Sequence, residues 1–173
     1  AWRQVPTRLP ALGNLAAETR PAIWQAFIDR PEFLDRGDAF EKVLYLARRG
    51  IESGAAAEQI ALYSPSLSSR TIVYKGLMLG SQLANFYPDL ADPEFRSAIA
   101  VYHQRYATNT FPNWKRAQPF RLLAHNGEIN TLDGNVNWMK AREMAMRDSA
   151  WGAALSPIID TDGSDSAMLD NAV

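Results

Sequence analysis

The chain has 173 residues, 47% of them hydrophobic and 21% charged, with a formal net charge of -1. This is the composition of an ordinary soluble, folded protein, and the length suits one domain or a large part of one rather than two independent domains. It excludes a disordered or collagen-like chain, and a balanced charge is not that of a nucleic-acid binder.

No apolar run approaches the roughly 20 residues of a membrane-spanning helix, and the opening AWRQVPTRLP has no apolar signal core. The sequence contains no cysteine, so disulfides, thiolate-held zinc, iron-sulfur clusters and a cysteine nucleophile are all excluded within it. The densest basic run, WKRAQPFR at 114–121, reads as a solvated loop or sheet edge.

In chain order, residues 1–20 carry Pro6, Pro10, Gly13 and Asn14 without sustained periodicity and read as an irregular lead-in. Ile23, Gln25 and Phe27 alternate with other residues in a short strand-like run. Asp38 and Glu41 stand at capping-box spacing, and Phe40, Val43, Leu44, Ala47 and Ile51 recur at helical intervals. Residues 38–53 should therefore form an amphipathic helix that Gly54 ends. Residues 60–63 and 71–74 are β-prone runs on either side of the serine-rich segment 64–69, which suggests paired strands. Residues 81–86 are compatible with helix until Pro88, and residues 98–106 form a strand rich in β-branched and aromatic residues. After a loop between Pro112 and Pro119, residues 120–124 are strand-like and residues 130–146 read as a helix. A Gly/Ser/Asp-rich turn at 160–166 then precedes a last helical stretch at Ala167, Met168 and Leu169. Strands and helices mix without βαβ alternation, which favours an α+β fold over a doubly wound parallel sheet.

Three polar clusters stand at strand ends or before helices: HQRYATNT at 103–110, HNGEIN at 125–130 and GSDS at 163–166. Loops at such places present polar groups from a rigid scaffold. Asn126-Gly127 reads either as a tight hairpin turn or as an oxyanion hole, with the Asn amide and the Gly N–H facing a developing alkoxide. Arg105, within an apolar β-prone run, is either salt-bridged or a bidentate carboxylate binder, to which Thr108 could add a hydroxyl. Asp165 either caps the last helix or pairs with an ammonium group. His103 and His125 are the only histidines and read as structural rather than metal-binding, and no glycine-rich phosphate loop is present. Together an Arg for a carboxylate, an Asp for an ammonium and an Asn/Gly oxyanion hole describe a pocket for an α-amino acid whose side-chain carbonyl is attacked. No Ser or Thr stands in a recognisable activating pattern with histidine, so the nucleophile is missing.

HQRYATNTFPNWKRAQPFRLLAHNGEINTLDGNVNWMKARE resembles the most recognisable block of the class II glutamine-amidotransferase domain of glutamate synthase. WRQVPTRLPALG, SLSSRTIVYKGLML, FYPDL and PIIDTDGSDSAMLDN resemble successive segments of the same domain, so the likeness covers nearly the whole chain. The resemblance implies an N-terminal nucleophile hydrolase fold, with two stacked antiparallel sheets between helical layers, and a catalytic N-terminal cysteine whose α-amine is the general base. On that resemblance the chain is expected to be an internal part of a single amidotransferase domain, without the cysteine and the opening strands, and inactive alone. Arg105 with Thr108 would bind the α-carboxylate of glutamine, Asp165 its α-ammonium, and Asn126 with Gly127 the oxyanion. Ammonia would pass to 2-oxoglutarate to make glutamate. FMN, an iron-sulfur cluster and an electron-donating subunit or ferredoxin would belong to the rest of the large subunit, with no cofactor in this stretch. The resemblance implies a cytoplasmic setting, or a plastid in a plant or alga, and missing strands would favour self-association. The competing readings are a non-catalytic amino-acid-binding or structural module, and another class II amidotransferase, against which FPNWKRAQP and NTLDGNVNWMKARE argue.

Overall fold

The computed structural model describes residues 1–105, 110–126, 128–146 and 152–173. In chain order they form β1 (Trp2–Gln4), α1 (Asn14–Glu18), β2 (Trp24–Ala26), α2 (Asp38–Ala57), α3 (Leu83–Phe86), α4 (Leu132–Met146), α5 (Gly152–Leu155) and α6 (Asp165–Ala172). Short 3-10 turns lie at Leu9–Ala11, Gly80–Gln82 and Pro88–Ala91. The chain forms two units, Ala1–Asp29 with Tyr74–Pro119, and Arg30–Val73 with Phe120–Val173.

In the first unit β1 and β2 pair antiparallel, with Trp2 opposite Ala26, Arg3 opposite Gln25 and Gln4 opposite Trp24. One further bond extends the pairing at each end, from Val5 N–H to the Ile23 carbonyl at 2.9 Å and from Phe27 N–H to the Ala1 carbonyl at 2.8 Å. Pro6 has no N–H with which to continue. The strand expected around residues 23–27 is thus present as β2. The lead-in at 1–20, expected to be irregular, supplies β1 and α1, elements too short for periodicity to reveal them.

The core of this unit is aromatic. Phe86 is fully buried, with its ring centroid 4.6 Å from Tyr87 and 5.7 Å from Trp114. The Tyr87 hydroxyl donates to the Lys75 carbonyl at 2.7 Å, and the buried Lys75 ammonium donates to the Lys115 carbonyl at 2.8 Å. Trp114 Nε1 donates to the Ala16 carbonyl at 3.2 Å. A Cβ on Gly76 would sit 2.6 Å from the Trp114 indole, so the close approach requires glycine there. The run at 114–121 is therefore not the solvated loop or edge expected, since Trp114, Ala117, Gln118 and Phe120 are buried. Burial of an indole outweighs the pull of neighbouring cations, whose long stems let the charges reach water.

In the second unit α2 begins as expected at Asp38 but runs through Gly54 to Ala57, carried by the helix-favouring run of alanines. Phe40 and Leu44 are its buried residues. The capping box expected of Asp38 and Glu41 does not form: Gly37, at φ 87, is the N-cap and makes no side-chain bond. The two acids instead hold the serine-rich loop. Asp38 pairs with Arg70 at 2.7 Å, while Glu41 accepts Ser69 N–H at 2.8 Å and the Ser69 and Ser68 hydroxyls at 2.6 and 2.8 Å. Further along the helix, Glu52 accepts Ser64 N–H at 3.0 Å. In α4 the buried Glu143 accepts Ile158 N–H at 2.5 Å and the Ser156 hydroxyl at 3.1 Å. α4 itself matches the helix expected over 130–146, and α6 extends the expected closing helix.

Residues 60–63, 71–74, 98–105 and 120–124, all expected as strands, carry no strand. Ile99 and Tyr102 are 80% and 76% exposed. Residue 106 lies outside the described residues. β-propensity reports fit to a pleated surface, and without a partner it produces no ladder. Among the described residues the sole sheet is β1 with β2, accompanied by helices.

The Glu41 contacts make the serine loop pH-dependent. Burial raises its carboxyl, but the Ser69 and Ser68 hydrogen bonds and the Arg70 charge outweigh it and leave it below its ordinary value of 4.5. A depressed carboxyl stabilises fully above the ordinary value and loses its contribution as pH falls through the folded value. The protection of the Ser69 amide against hydrogen exchange should therefore fall below about pH 4.5, and Glu41→Gln should remove that pH dependence.

Candidate functional site

The turn ahead of α6 is built by side chains that satisfy their own neighbours. Asp160 accepts Asp162 N–H on its carboxylate at 3.0 Å and Gly163 N–H on its carbonyl at 3.1 Å, while Asn171 Oδ1 accepts Asp160 N–H at 2.9 Å. Ser164, almost fully buried, caps α6 by accepting Ala167 N–H at 3.2 Å. Asp165 is therefore not the cap. Its Oδ1 accepts Ser166 N–H at 2.7 Å, and its Oδ2 accepts Ile129 N–H at 2.8 Å.

That last bond joins two of the polar clusters singled out in the sequence, HNGEIN and GSDS. A second link runs from Ser166 Oγ to His125 Nδ1 at 3.4 Å. Asp170, one turn further along α6 and buried, accepts the amides of Arg121, Leu122 and Leu123 at 3.2, 2.8 and 3.1 Å. Arg121 answers with Nη2 on the Asp170 carbonyl at 2.8 Å and Nε 3.8 Å from its carboxylate. Residues 121–123, His125 and Ile129 are thus held to α6 by side chains of that helix.

Asn126 lies between these anchors and is exposed. No ladder flanks it among the described residues, so the hairpin reading has no strands to join there. Gly127 and Thr108 lie outside the described residues. Arg105 belongs to the other unit and is exposed, and its N–H donates to His103 Nδ1 at 3.1 Å. Among the described residues no carboxylate pairs with its guanidinium, so the salt-bridge reading finds no partner there. No three of His, Cys, Asp and Glu converge as metal ligands among the described residues, and no described helix is long and apolar enough to cross a membrane.

Chemically, the second unit offers an anion and an amide donor on one frame. The Asp165 carboxylate has about four acceptor positions, and the three bonds from Ile129 N–H, Ser166 N–H and the Ser166 hydroxyl leave capacity for one more donor. Asp170 lay outside the clusters singled out in the sequence, and Ser166 entered only as a member of GSDS. Their spacing along α6 was visible, but the need of 121–123 for an acceptor was hidden by the expectation of a strand there.

The segment after Asn126 and the start of α6 are thus joined through Ile129 and Asp165. The chain belongs to the family described as glutamine amidotransferases class-II, whose pattern matches residues 1–173. It is 51% identical to the glutamate synthase [NADPH] large chain of Azospirillum brasilense, over 98% of this chain and 11% of that protein. It is 47% identical to the glutamate synthase [NADPH] large chain of Bacillus subtilis (strain 168), over 99% of this chain and 11% of that protein. Identity is 45% to the chloroplastic/mitochondrial ferredoxin-dependent glutamate synthase 1 of Arabidopsis thaliana, over 99% of this chain and 11% of that protein. The chain thus spans about one ninth of the length of these relatives.

Replacing the Asp170 carboxylate leaves three amides without their acceptor. Asp170→Ala should lower unfolding stability by about 2–3 kcal/mol in urea titration, with Asp170→Asn milder because one oxygen remains.

Proposed function

We propose that this chain is the glutamine-binding part of a glutamate synthase, and that it acts in the release of ammonia from glutamine for transfer to 2-oxoglutarate. The observation that carries this reading is the 2.8 Å bond from Ile129 N–H to Asp165, which ties the Asn-Gly loop to the carboxylate that would receive an ammonium group. The names of the relatives support it further.

In this proposal Asp165 takes the α-ammonium of glutamine, and Arg105 with Thr108 takes its α-carboxylate. A cysteine thiolate, which this chain does not contain, attacks the side-chain carbonyl carbon. The oxygen of the tetrahedral intermediate gains negative charge and is met by the Asn126 side-chain amide and the Gly127 N–H. Ammonia leaves, and water then cleaves the thioester to give glutamate. The chain alone is proposed to be inactive. The architecture proposed for the whole domain is the stacked-sheet N-terminal nucleophile hydrolase fold, with residues 1–173 inside that one domain.

FMN, an iron-sulfur cluster and the electron donor, whether a subunit or ferredoxin, are proposed for the remainder of the protein. With no cysteine, this stretch has no thiolates with which to hold such a cluster. Its setting would be the cytoplasm, or a plastid in a plant or alga.

The test uses a full-length protein carrying this segment together with a cysteine nucleophile. Asn126→Asp replaces an N–H donor by a repelling carboxylate, so glutaminase kcat should fall about 10²- to 10³-fold, with thermal unfolding unchanged. Near-normal kcat in that stable variant would remove the oxyanion role. Arg105→Lys should raise KM for glutamine more than it lowers kcat, since an ammonium cannot reproduce the paired contacts of a guanidinium. An unchanged KM in folded protein would take Arg105 out of the pocket.

A further inference from the structure

The amides of Arg121, Leu122 and Leu123 are three consecutive donors that converge on one buried carboxylate. Asp170 Oδ1 accepts Leu122 and Leu123 at 2.8 and 3.1 Å, and Oδ2 accepts Arg121 at 3.2 Å. Phe120 N–H closes the same turn on the Leu123 carbonyl at 2.9 Å. The Arg121 guanidinium folds back over the Asp170 backbone at 2.8 Å, with its carbon 5.7 Å from the centre of the Tyr45 ring of α2. Asn126 follows Leu123 after only Ala124 and His125, and Ile129, the next anchor, binds Asp165. His125, immediately before Asn126, meets the buried Ser166. Both sides of Asn126 are thus tied to one helix, and the anchors at 165 and 170 are separated by roughly 7.5 Å of helix rise. A helix is stiff on that scale, so α6 holds the anchored residues before and after Asn126 at a fixed separation.

We infer that Asp170 is a positioning residue for glutamine hydrolysis: it fixes residues 121–123 so that the Asn126 amide stands where the oxyanion forms. The inference rests on the oxyanion role proposed above. Asp170 touches no reacting atom; its carboxylate is taken up by backbone amides and by Arg121. Its effect on rate would come from geometry, because a donor that serves the transition state loses most of its value when displaced by about an ångström. The same displacement leaves ground-state binding of glutamine largely intact, which separates Asp170 from a residue that merely shapes the pocket.

The experiment measures glutaminase kinetics in a full-length protein carrying this segment and a cysteine nucleophile, with Asp170→Asn, Asn126→Ala and the double variant. Asp170→Asn keeps one oxygen for Leu122 and Leu123 and turns an amide against Arg121. Its kcat should fall about ten- to a hundred-fold with KM for glutamine little changed. In the Asn126→Ala background, Asp170→Asn should cost little more, because a residue acting through Asn126 has nothing left to position. Normal kcat in Asp170→Asn beside a crippled Asn126→Ala overturns this inference alone, as do losses that add in the double variant. Normal kcat in Asn126→Ala overturns the oxyanion reading and this inference with it. If Asp170→Asn does not fold, Asp170→Glu, which keeps the charge but moves the carboxylate by one methylene, takes its place, with a loss of kcat expected that again vanishes in the Asn126→Ala background; no loss, or an additive one, overturns the inference.

Discussion

A backbone amide that is neither in a helix nor in a ladder must find an acceptor, and in the second unit carboxylates on helices provide it. Asp170 serves residues 121–123, Glu143 serves Ile158, Glu52 serves Ser64, Glu41 serves Ser69 and Asp165 serves Ile129. Charge-assisted bonds of this kind are roughly twice as strong as neutral ones. The asymmetry matters as much as the strength, since an amide left without its acceptor loses more than the bond had contributed. Loop geometry in this unit is consequently written in the positions of acids along α2, α4 and α6.

This arrangement places a demand on Asp165 that the other acids do not bear. Under the proposed function the same carboxylate holds a loop and receives a ligand. The two tasks are compatible because the bonds from Ile129 and Ser166 leave one acceptor position over. A ligand ammonium would add to the anchoring rather than compete with it. Structure and binding are then read from a single side chain, and a substitution there cannot be assigned to one role from activity alone.

The sequence disclosed helices more faithfully than strands, and particular residues show why. Helix α2 was announced by Phe40 and Leu44 at helical spacing, while its start at Asp38 was read from a capping box with Glu41 that does not form. The end at Gly54 was misplaced because three alanines outweigh one glycine. Residues 98–105 have the composition of a strand, yet composition cannot state whether a neighbour is present, and Ile99 and Tyr102 stand exposed. Trp114 was misjudged for the opposite reason: the lysine and arginine beside it suggested solvent, while the partner that buries it, Gly76, lies far off in sequence. At the candidate site the clusters HNGEIN and GSDS were legible from residue type, and their union is borne by the Ile129 to Asp165 bond. Asp170 was not legible, because its role depends on amides that sequence reading had already assigned to a strand.

The exposure of Asn126 has a chemical consequence of its own. It is followed by Gly127, the neighbour that hinders least the attack of a backbone nitrogen on a side-chain amide. Asparagine is among the thermolabile residues, and ring closure at an exposed asparagine followed by glycine in sequence ends in aspartate or its β-linked isomer. Ageing in solution would convert the Asn126 side-chain amide into a carboxylate without any change in the gene. A preparation would carry a growing fraction of molecules altered by a single mass unit at residue 126, so the storage history of the protein becomes part of its chemistry.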